Sequence, residues 1–244
     1  MTAFRPGFHA LVVGGSGGIG RALVQALQAR GAGCVYAAAR RPAASHPDGA
    51  RPLALDVTDE PSLTAAAAEI RAHSPQLDLV INTAGVLQDG PLRPERRLQD
   101  VTPANLLHSF RVNAFGPILL AKHLVPLLSH GGHAVFASLS ARVGSIGDNR
   151  LGGWYAYRAA KTAQNQLLHT LAVETARRAP ALICVALHPG TVDTELSRPF
   201  QGGVKPEKLF TPEQAAAHLL DVIANLQRAQ HGGFYAWDGR PIPW

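Results

Sequence analysis

The stretch His9–Arg30, HALVVGGSGGIGRALVQALQAR, decides how the chain is read. His9–Gly14 is a short, largely apolar run that reads as a buried strand. It feeds directly into Gly14, Gly15, Ser16, Gly17, Gly18, Ile19 and Gly20, and then into a helical run from Arg21 to Arg30 that Gly31 closes. Strand, glycine loop and helix in that order are what a phosphate-binding turn requires. Glycines let the backbone turn tightly, let a pyrophosphate approach it, and let the helix pack on the strand. The spacing is G-x-x-x-G-x-G (Gly14, Gly18, Gly20), not the commoner G-x-G-x-x-G. A glycine pattern alone also suits a plain turn, but these flanks favour a dinucleotide site.

Downstream, the same alternation continues. Cys34–Ala39 reads as a second strand and is followed by Arg40-Arg41. A fold that prefers NAD places an acidic residue near this strand end to hold the ribose hydroxyls. None is present, and Arg40 is placed to meet a 2′-phosphate, so the reading is NADP, with NAD less favoured. The plain alternative is a solvated arginine pair. Arg51–Leu55 gives a third strand ending at Asp56-Val57, and an Ala-rich helix runs to about His73. Leu77–Ile81 is a fourth strand that runs into Asn82-Thr83-Ala84-Gly85, where the small residues leave room for a cofactor.

A helix is expected over about Pro103–Leu128, kinked near Gly116-Pro117 because proline removes a helical hydrogen bond, with Asn113 just before the kink. Ala134–Leu139 is the fifth strand and Leu182–Leu187 the sixth, the latter ending in Pro189, Gly190, Thr191, Val192, Asp193 and Thr194. Ser197–Lys208, rich in Gly, Pro and charge, reads as a mobile flap. A helix over Glu213–Gln227, capped by Thr211, and a short strand over Gly233–Trp237 complete the chain. The pattern predicts a single-domain Rossmann fold: a doubly wound, seven-stranded, mainly parallel sheet with helices on both faces. Ligands in that architecture bind beyond the carboxyl ends of the strands, where all these features fall.

Trp154–Lys161, WYAYRAAK, opens the longest helical run, through about Arg178, with Pro180 just beyond. Tyr157 and Lys161 are four apart and share one helix face. A phenol is a poor acid or base at neutral pH; a neighbouring ammonium favours its ionised form and suits it to general acid–base catalysis. Tyr155, six residues from Lys161, lies on another face. A tyrosine and a lysine on an ordinary surface helix remain the alternative for this pair taken alone.

Composition limits the field. The 244 residues are 46% hydrophobic, enough for one packed α/β domain. No apolar run approaches the ~18 residues of a membrane span. The N-terminus lacks a signal-peptide pattern, so a cytoplasmic protein is expected. The net charge of +6 raises nucleic acid as a partner, but the arginines are scattered rather than striped and only four lysines occur. The reading is no nucleic acid and no membrane. Cys34 and Cys184 sit in apolar strands and read as reduced core residues. His130 and His133 flank a glycine turn without a carboxylate or cysteine close in sequence, so no metal site is expected.

Together and in this order, the motifs resemble the short-chain dehydrogenase/reductase family over about residues 8–237. Val13-Gly14-x-x-x-Gly18-Ile19-Gly20 is similar to its T-G-x-x-x-G-x-G loop, and Asn82-Thr83-Ala84-Gly85 to its N-N-A-G. Asn113 matches the proton-relay asparagine, Tyr157-x-x-x-Lys161 the catalytic pair, and Pro189-Gly190 through Thr194 the nicotinamide-side loop. The loop Gly144–Asn149 and the closing Asp238-Gly239-x-x-x-Pro243-Trp244 resemble the C-factor and sniffer-like subgroup. One departure stands out: the family's catalytic serine falls in register on Ala141. Ser140, one place earlier, is the candidate to replace it, and Ser138 lies deeper in the strand.

The resemblance implies hydride transfer between NADP(H) and a carbonyl or alcohol substrate. Tyr157 would be the general acid/base, Lys161 would lower its pKa and hold the nicotinamide ribose, Ser140 would polarise the carbonyl, and Asn113 would anchor a relay water. The cofactor would lie along Gly14, Ser16, Gly17, Gly18, Ile19 and Gly20, then Arg40, Asp56 and Val57, then Asn82, Ala84 and Gly85. It would end against Tyr157, Lys161, Pro189, Gly190, Thr191, Val192 and Thr194. A homodimer or homotetramer is implied, built on Pro103–Leu128 and Tyr157–Arg178, with Ala163 and Ala172 permitting close approach. The rival is a dinucleotide-binding signalling protein, C-factor-like, with little turnover; loss of carbonyl reduction in Tyr157→Phe would separate the two.

Overall fold

The structure, a computed structural model, describes residues 4–41 and 47–244. Seven strands form one sheet: β1 (His9–Val13), β2 (Cys34–Ala39), β3 (Arg51–Ala54), β4 (Leu79–Asn82), β5 (Ala134–Leu139), β6 (Leu182–His188) and, after a further short pair, β9 (Phe234–Ala236). Their order is β3-β2-β1-β4-β5-β6-β9, and every ladder is parallel rather than mainly so. The order reverses between β1 and β4, which puts the topological switch point beside the glycine loop.

Helices cover both faces because alternate strand residues point to opposite sides. Leu11 and Val13 belong to the core layer with Phe136, Leu120, Leu124 and Leu168, beneath α2 (Glu60–His73), α4 (Gly116–Leu128) and α5 (Tyr155–Arg178). Ala10 and Val12 belong to the other layer with Leu23, Leu27, Leu219 and Ile223, beneath α1 (Gly18–Ala29) and α6 (Pro212–Ala224). Thr211 caps α6 as expected: its Oγ1 accepts from Gln214 N at 3.2 Å. Among the described residues no helix is long and apolar enough to cross a membrane. Cys34 and Cys184 are both free thiols.

Two local expectations gain detail and one is corrected. The helix expected over Pro103–Leu128 is one unbroken helical run, and its interruption is a π-helical turn at Arg111–Phe115 between α3 (Pro103–Phe110) and α4. Pro117 follows that turn with helical backbone on both sides, so its missing N–H falls within the helical ladder where the interruption was expected. Gly116 is needed there because a Cβ would come within 2.8 Å of Val57 Cγ2. Second, a two-stranded ladder, β7 (Thr191–Val192) with β8 (Leu209–Phe210), brackets the segment read as a flap, which holds two short 3₁₀ turns. Third, Ala172 is 2% exposed and packs in the protein's own core, so it is not on an outer face of α5.

Candidate active site

At the first strand end the chain turns on two glycines that no other residue could replace without movement. Gly14 has φ +82°, and a Cβ on Gly20 would lie 2.1 Å from Gly14 O. Gly14 N and Gly15 N both donate to Ala38 O at 2.9 Å, fixing the loop on β2. Gly17, the N-cap of α1, brings no side chain to the helix end. Ser16, Gly17 and Gly18 are exposed, so the first amides of α1 face a cleft. That cleft, about 550 Å³, is lined by Ser16, Ala39, Arg40, Arg41 and Asp56. Its volume lies in the usual range for a small-ligand site. Asp56 is held by Thr58, whose N and Oγ1 both donate to Asp56 Oδ1 at 2.8 Å. Arg40 and Arg41 are exposed and have no hydrogen-bond or ion-pair partner among the described residues. The glycine loop, the open end of α1 and the free guanidinium of Arg40 fit the adenosine diphosphate end of a dinucleotide, including a 2′-phosphate.

Tyr157 and Lys161 share a face of α5, with Lys161 Nζ 5.8 Å from the centre of the Tyr157 ring. Tyr155 is 40% exposed, as its different helix face requires. Lys161 Nζ donates to Leu139 O and Gln164 Oε1, each at 2.9 Å. Gln164 Nε2 donates to Ser138 Oγ at 2.9 Å, and Asn82 Nδ2 donates to the same hydroxyl at 3.0 Å. Asn82 Oδ1 then accepts from Ala84 N at 3.1 Å. One polar chain therefore ties α5 to the ends of β5 and β4 and shapes the turn before Gly85. A Cβ on Gly85 would stand 3.2 Å from Asn113 Oδ1 and 3.7 Å from Lys161 Nζ, so glycine lets the three meet. Asn113 is fully buried in the π turn. Its Oδ1 accepts from Val86 N at 3.0 Å, and its Nδ2 donates to Val86 O at 2.8 Å.

Burial governs the charge on both groups of the pair. It pushes the Tyr157 phenol above its usual range and the Lys161 ammonium down to about 7. The expected help of the ammonium to the phenolate is thus outweighed by desolvation in the protein alone. His188, at the end of β6, is likewise held near 4, first by burial and then by Arg142, and so is neutral at physiological pH.

Ser140 Oγ donates to Asn165 Oδ1 at 2.7 Å, and the residue is 4% exposed. Asn165 and Thr162 both donate to Gly144 O, at 3.4 Å and 2.9 Å, which presses the loop after Ala141 onto α5. The hydroxyl proton of Ser140 is committed inside that arrangement. Ser138 is fully buried, as a residue deeper in the strand should be.

The loop after β6 closes the opposite side. Gly190 has φ +82°, and a Cβ there would meet Phe210 Cε2 at 2.6 Å. Thr191 and Val192 are held by the ladder to β8. Thr194 reaches the glycine loop: its Cγ2 would touch a Cβ on Gly18 at 3.0 Å. Thr194 therefore lies against the glycine loop. Above Tyr157, Trp154 makes edge contacts with both Tyr157 (6.3 Å between ring centres) and Phe200 of the flap (5.0 Å).

The fold places the predicted residues at the carboxyl ends of the strands and in the loops beyond them, and it adds Gln164, Asn165 and Glu95. The first two had a readable signal, being polar residues three and four positions after Lys161 on the buried stripe of α5. Glu95, 2% exposed, had none; it sits in a loop rich in Pro and Arg.

The chain is similar to known proteins in sequence and in fold. The family model for short chain dehydrogenase matches residues 8–203. The 1-hydroxy-2-glutathionyl-2-methyl-3-butene dehydrogenase of Rhodococcus sp. strain AD45 is 32% identical over 244 residues, 96% of this chain and 98% of that one. C-signal of Myxococcus xanthus is 32% identical over 168 residues, 69% of this chain and 93% of its own length. The crystal structure of NADPH-bound carbonyl reductase from chicken fatty liver superposes with a TM-score of 0.86 at 27% identity, covering 99% of this chain and 100% of that one.

Proposed function

This chain belongs to the short chain dehydrogenase family and is an oxidoreductase of that family; from that premise we propose that it is an NADP(H)-dependent carbonyl reductase with Tyr157 as its general acid/base. The observation that carries this reading is the convergence of Tyr157, Lys161, Gly85 and Asn113 beside the ends of β4 and β5. Bound NADPH supplies the hydride. Tyr157 donates the proton to the substrate oxygen, and its high pKa keeps that proton in place until the oxygen acquires charge. Lys161, anchored by Leu139 O and Gln164, is held where it can return a proton to Tyr157 and bind the ribose hydroxyls. Asn113 fixes Val86 and the floor beneath Lys161. Ser140 serves by holding Asn165 and the loop, which leaves Tyr157 as the donor to the substrate oxygen. The segments 86–92 and 197–208, with Trp154, line the substrate side, and the working form is a homodimer or homotetramer.

The test is NADPH consumption across a panel of aldehydes and ketones. Turnover in the wild type that is lost in Tyr157→Phe, with NADPH binding retained, supports the reading. NADPH binding without turnover of any carbonyl supports the second reading, a dinucleotide-binding signalling protein. That reading draws on the similarity to C-signal and on Ala141 standing where the family carries its serine.

A further inference from the structure

α5 begins in an unusual way. Gly152, Gly153 and Trp154 all have positive φ (65°, 65° and 52°), so the chain enters the helix through three consecutive left-handed residues. Trp154 is the N-cap and makes no side-chain cap. An aromatic side chain has no oxygen to offer the first amides, and Ala156, one residue before Tyr157, is 2% exposed, too buried to rely on water. Its amide needs an acceptor from elsewhere in the fold.

Glu95 supplies it from 61 positions earlier: Glu95 Oε2 accepts from Ala156 N at 3.1 Å. Glu95 Oε1 accepts from Asn105 Nδ2 of α3, which also donates to Arg93 O at 3.0 Å. The backbone of Glu95 takes part as well, since Trp154 N donates to Glu95 O. Among the described residues this buried carboxyl has no Lys, Arg or His within ion-pair reach. Its compensation comes from the Ala156 amide at the positive end of α5 and from one asparagine. Beside it lies a small cavity of about 10 Å³, lined by Glu95, Asn105, His108, Ser109, Ala156 and Tyr157 among others. The wall of that cavity is thus shared by the cap and the phenol.

We propose that Glu95 is a positioning residue: it caps the catalytic helix from the loop that follows β4, ties that helix to α3, and thereby sets where Tyr157 stands relative to the substrate. The proposal rests on the assignment of Tyr157 as the acid/base, but it has a readout that does not need turnover.

The experiment compares Glu95→Gln, Glu95→Asp and Glu95→Ala in the full chain. Gln keeps an acceptor at the same reach, Asp keeps the carboxylate but withdraws it by one methylene, and Ala removes both. Amide hydrogen exchange at Ala156 and Tyr157, measured on the protein alone, should stay slow in Gln and become fast in Asp and Ala. With NADPH and the best carbonyl of the panel, kcat should fall ~10²-fold in Asp and Ala, the scale of a misplaced reacting group, while the NADPH dissociation constant is unchanged. Gln should keep kcat within about ten-fold, because its one oxygen still accepts from Ala156 N and only the bond to Asn105 is given up. Slow exchange in Asp would overturn the proposal, as would kcat loss in Gln equal to that in Ala. If the Ala variant does not fold, the contrast between Gln and Asp decides. If the wild type reduces no carbonyl, the functional reading fails, and exchange at Ala156 and Tyr157 still judges the cap.

Discussion

Ser140 Oγ donates its proton to Asn165 Oδ1 across 2.7 Å, inside a shell that leaves Ser140 only 4% exposed. Ser140→Ala therefore leaves a buried amide oxygen without its donor, a loss of about 1–3 kcal/mol. The expected result is a lower melting temperature, with turnover per folded molecule little changed. A fall of ~10²-fold in kcat, the effect of deleting a donor to a developing oxyanion, would instead show that Ser140 turns to the substrate.

Lys161 gives the protein a specific pH signature. Its ammonium is depressed from 10.5 to about 7 by burial. Between those values the unfolded chain holds a proton that the folded site lacks, so stability should rise as pH rises from about 7 towards 10. Above pH 10 the sign reverses through Tyr157, whose raised pKa keeps a proton in the fold that the unfolded chain has lost. Thermal melts of wild type and Lys161→Met across this range should diverge, with the rise between pH 7 and 10 missing from the variant. Parallel curves would refute the assignment.

Arg40 should decide the choice of cofactor. It is exposed beside Ser16 and Asp56, free of partners among the described residues, and a charge-assisted contact to a 2′-phosphate is worth about 1.5–3 kcal/mol. Titration should show NADPH bound more tightly than NADH, and Arg40→Asp should erase or invert that preference. Equal affinities in the wild type would dismiss Arg40 as the discriminator.

The outer surface of the α3–α5 region carries exposed Leu107, Phe115 and Val173 (58%, 45% and 65% exposed). Association through these helices would cover them. Light scattering at micromolar protein should report a dimer or tetramer, and Leu107→Glu with Phe115→Glu should shift it to monomer. A wild-type monomer would end this reading.

The sheet was legible because its strands are short, all but the edge strand β3 are largely apolar, and turn or helix signals follow them. The Tyr157–Lys161 face was legible because helical spacing is fixed. The π turn at Arg111–Phe115 was not, since its helix-forming residues give no sign of a changed hydrogen-bond pitch. The partner of Ser140 was hidden for a different reason. Register along a loop says which residue is nearest a site, but the direction of a hydroxyl depends on Asn165, 25 residues away. Glu95 shows the same limit over a longer span.

The ladder of Thr191–Val192 with Leu209–Phe210 fastens both ends of the segment between them, while Ser197 Oγ ties that segment back to Val192 O at 2.5 Å. A loop clamped at its neck behaves as an interchangeable cassette. Insertions, deletions or grafts between Glu195 and Lys208 should change that segment while Thr191 and Val192 keep their pairing with Leu209 and Phe210. For an engineer, that is the stretch to randomise when a new substrate is wanted, and for a lineage of such enzymes it is where sequence can drift without disturbing the machinery beneath.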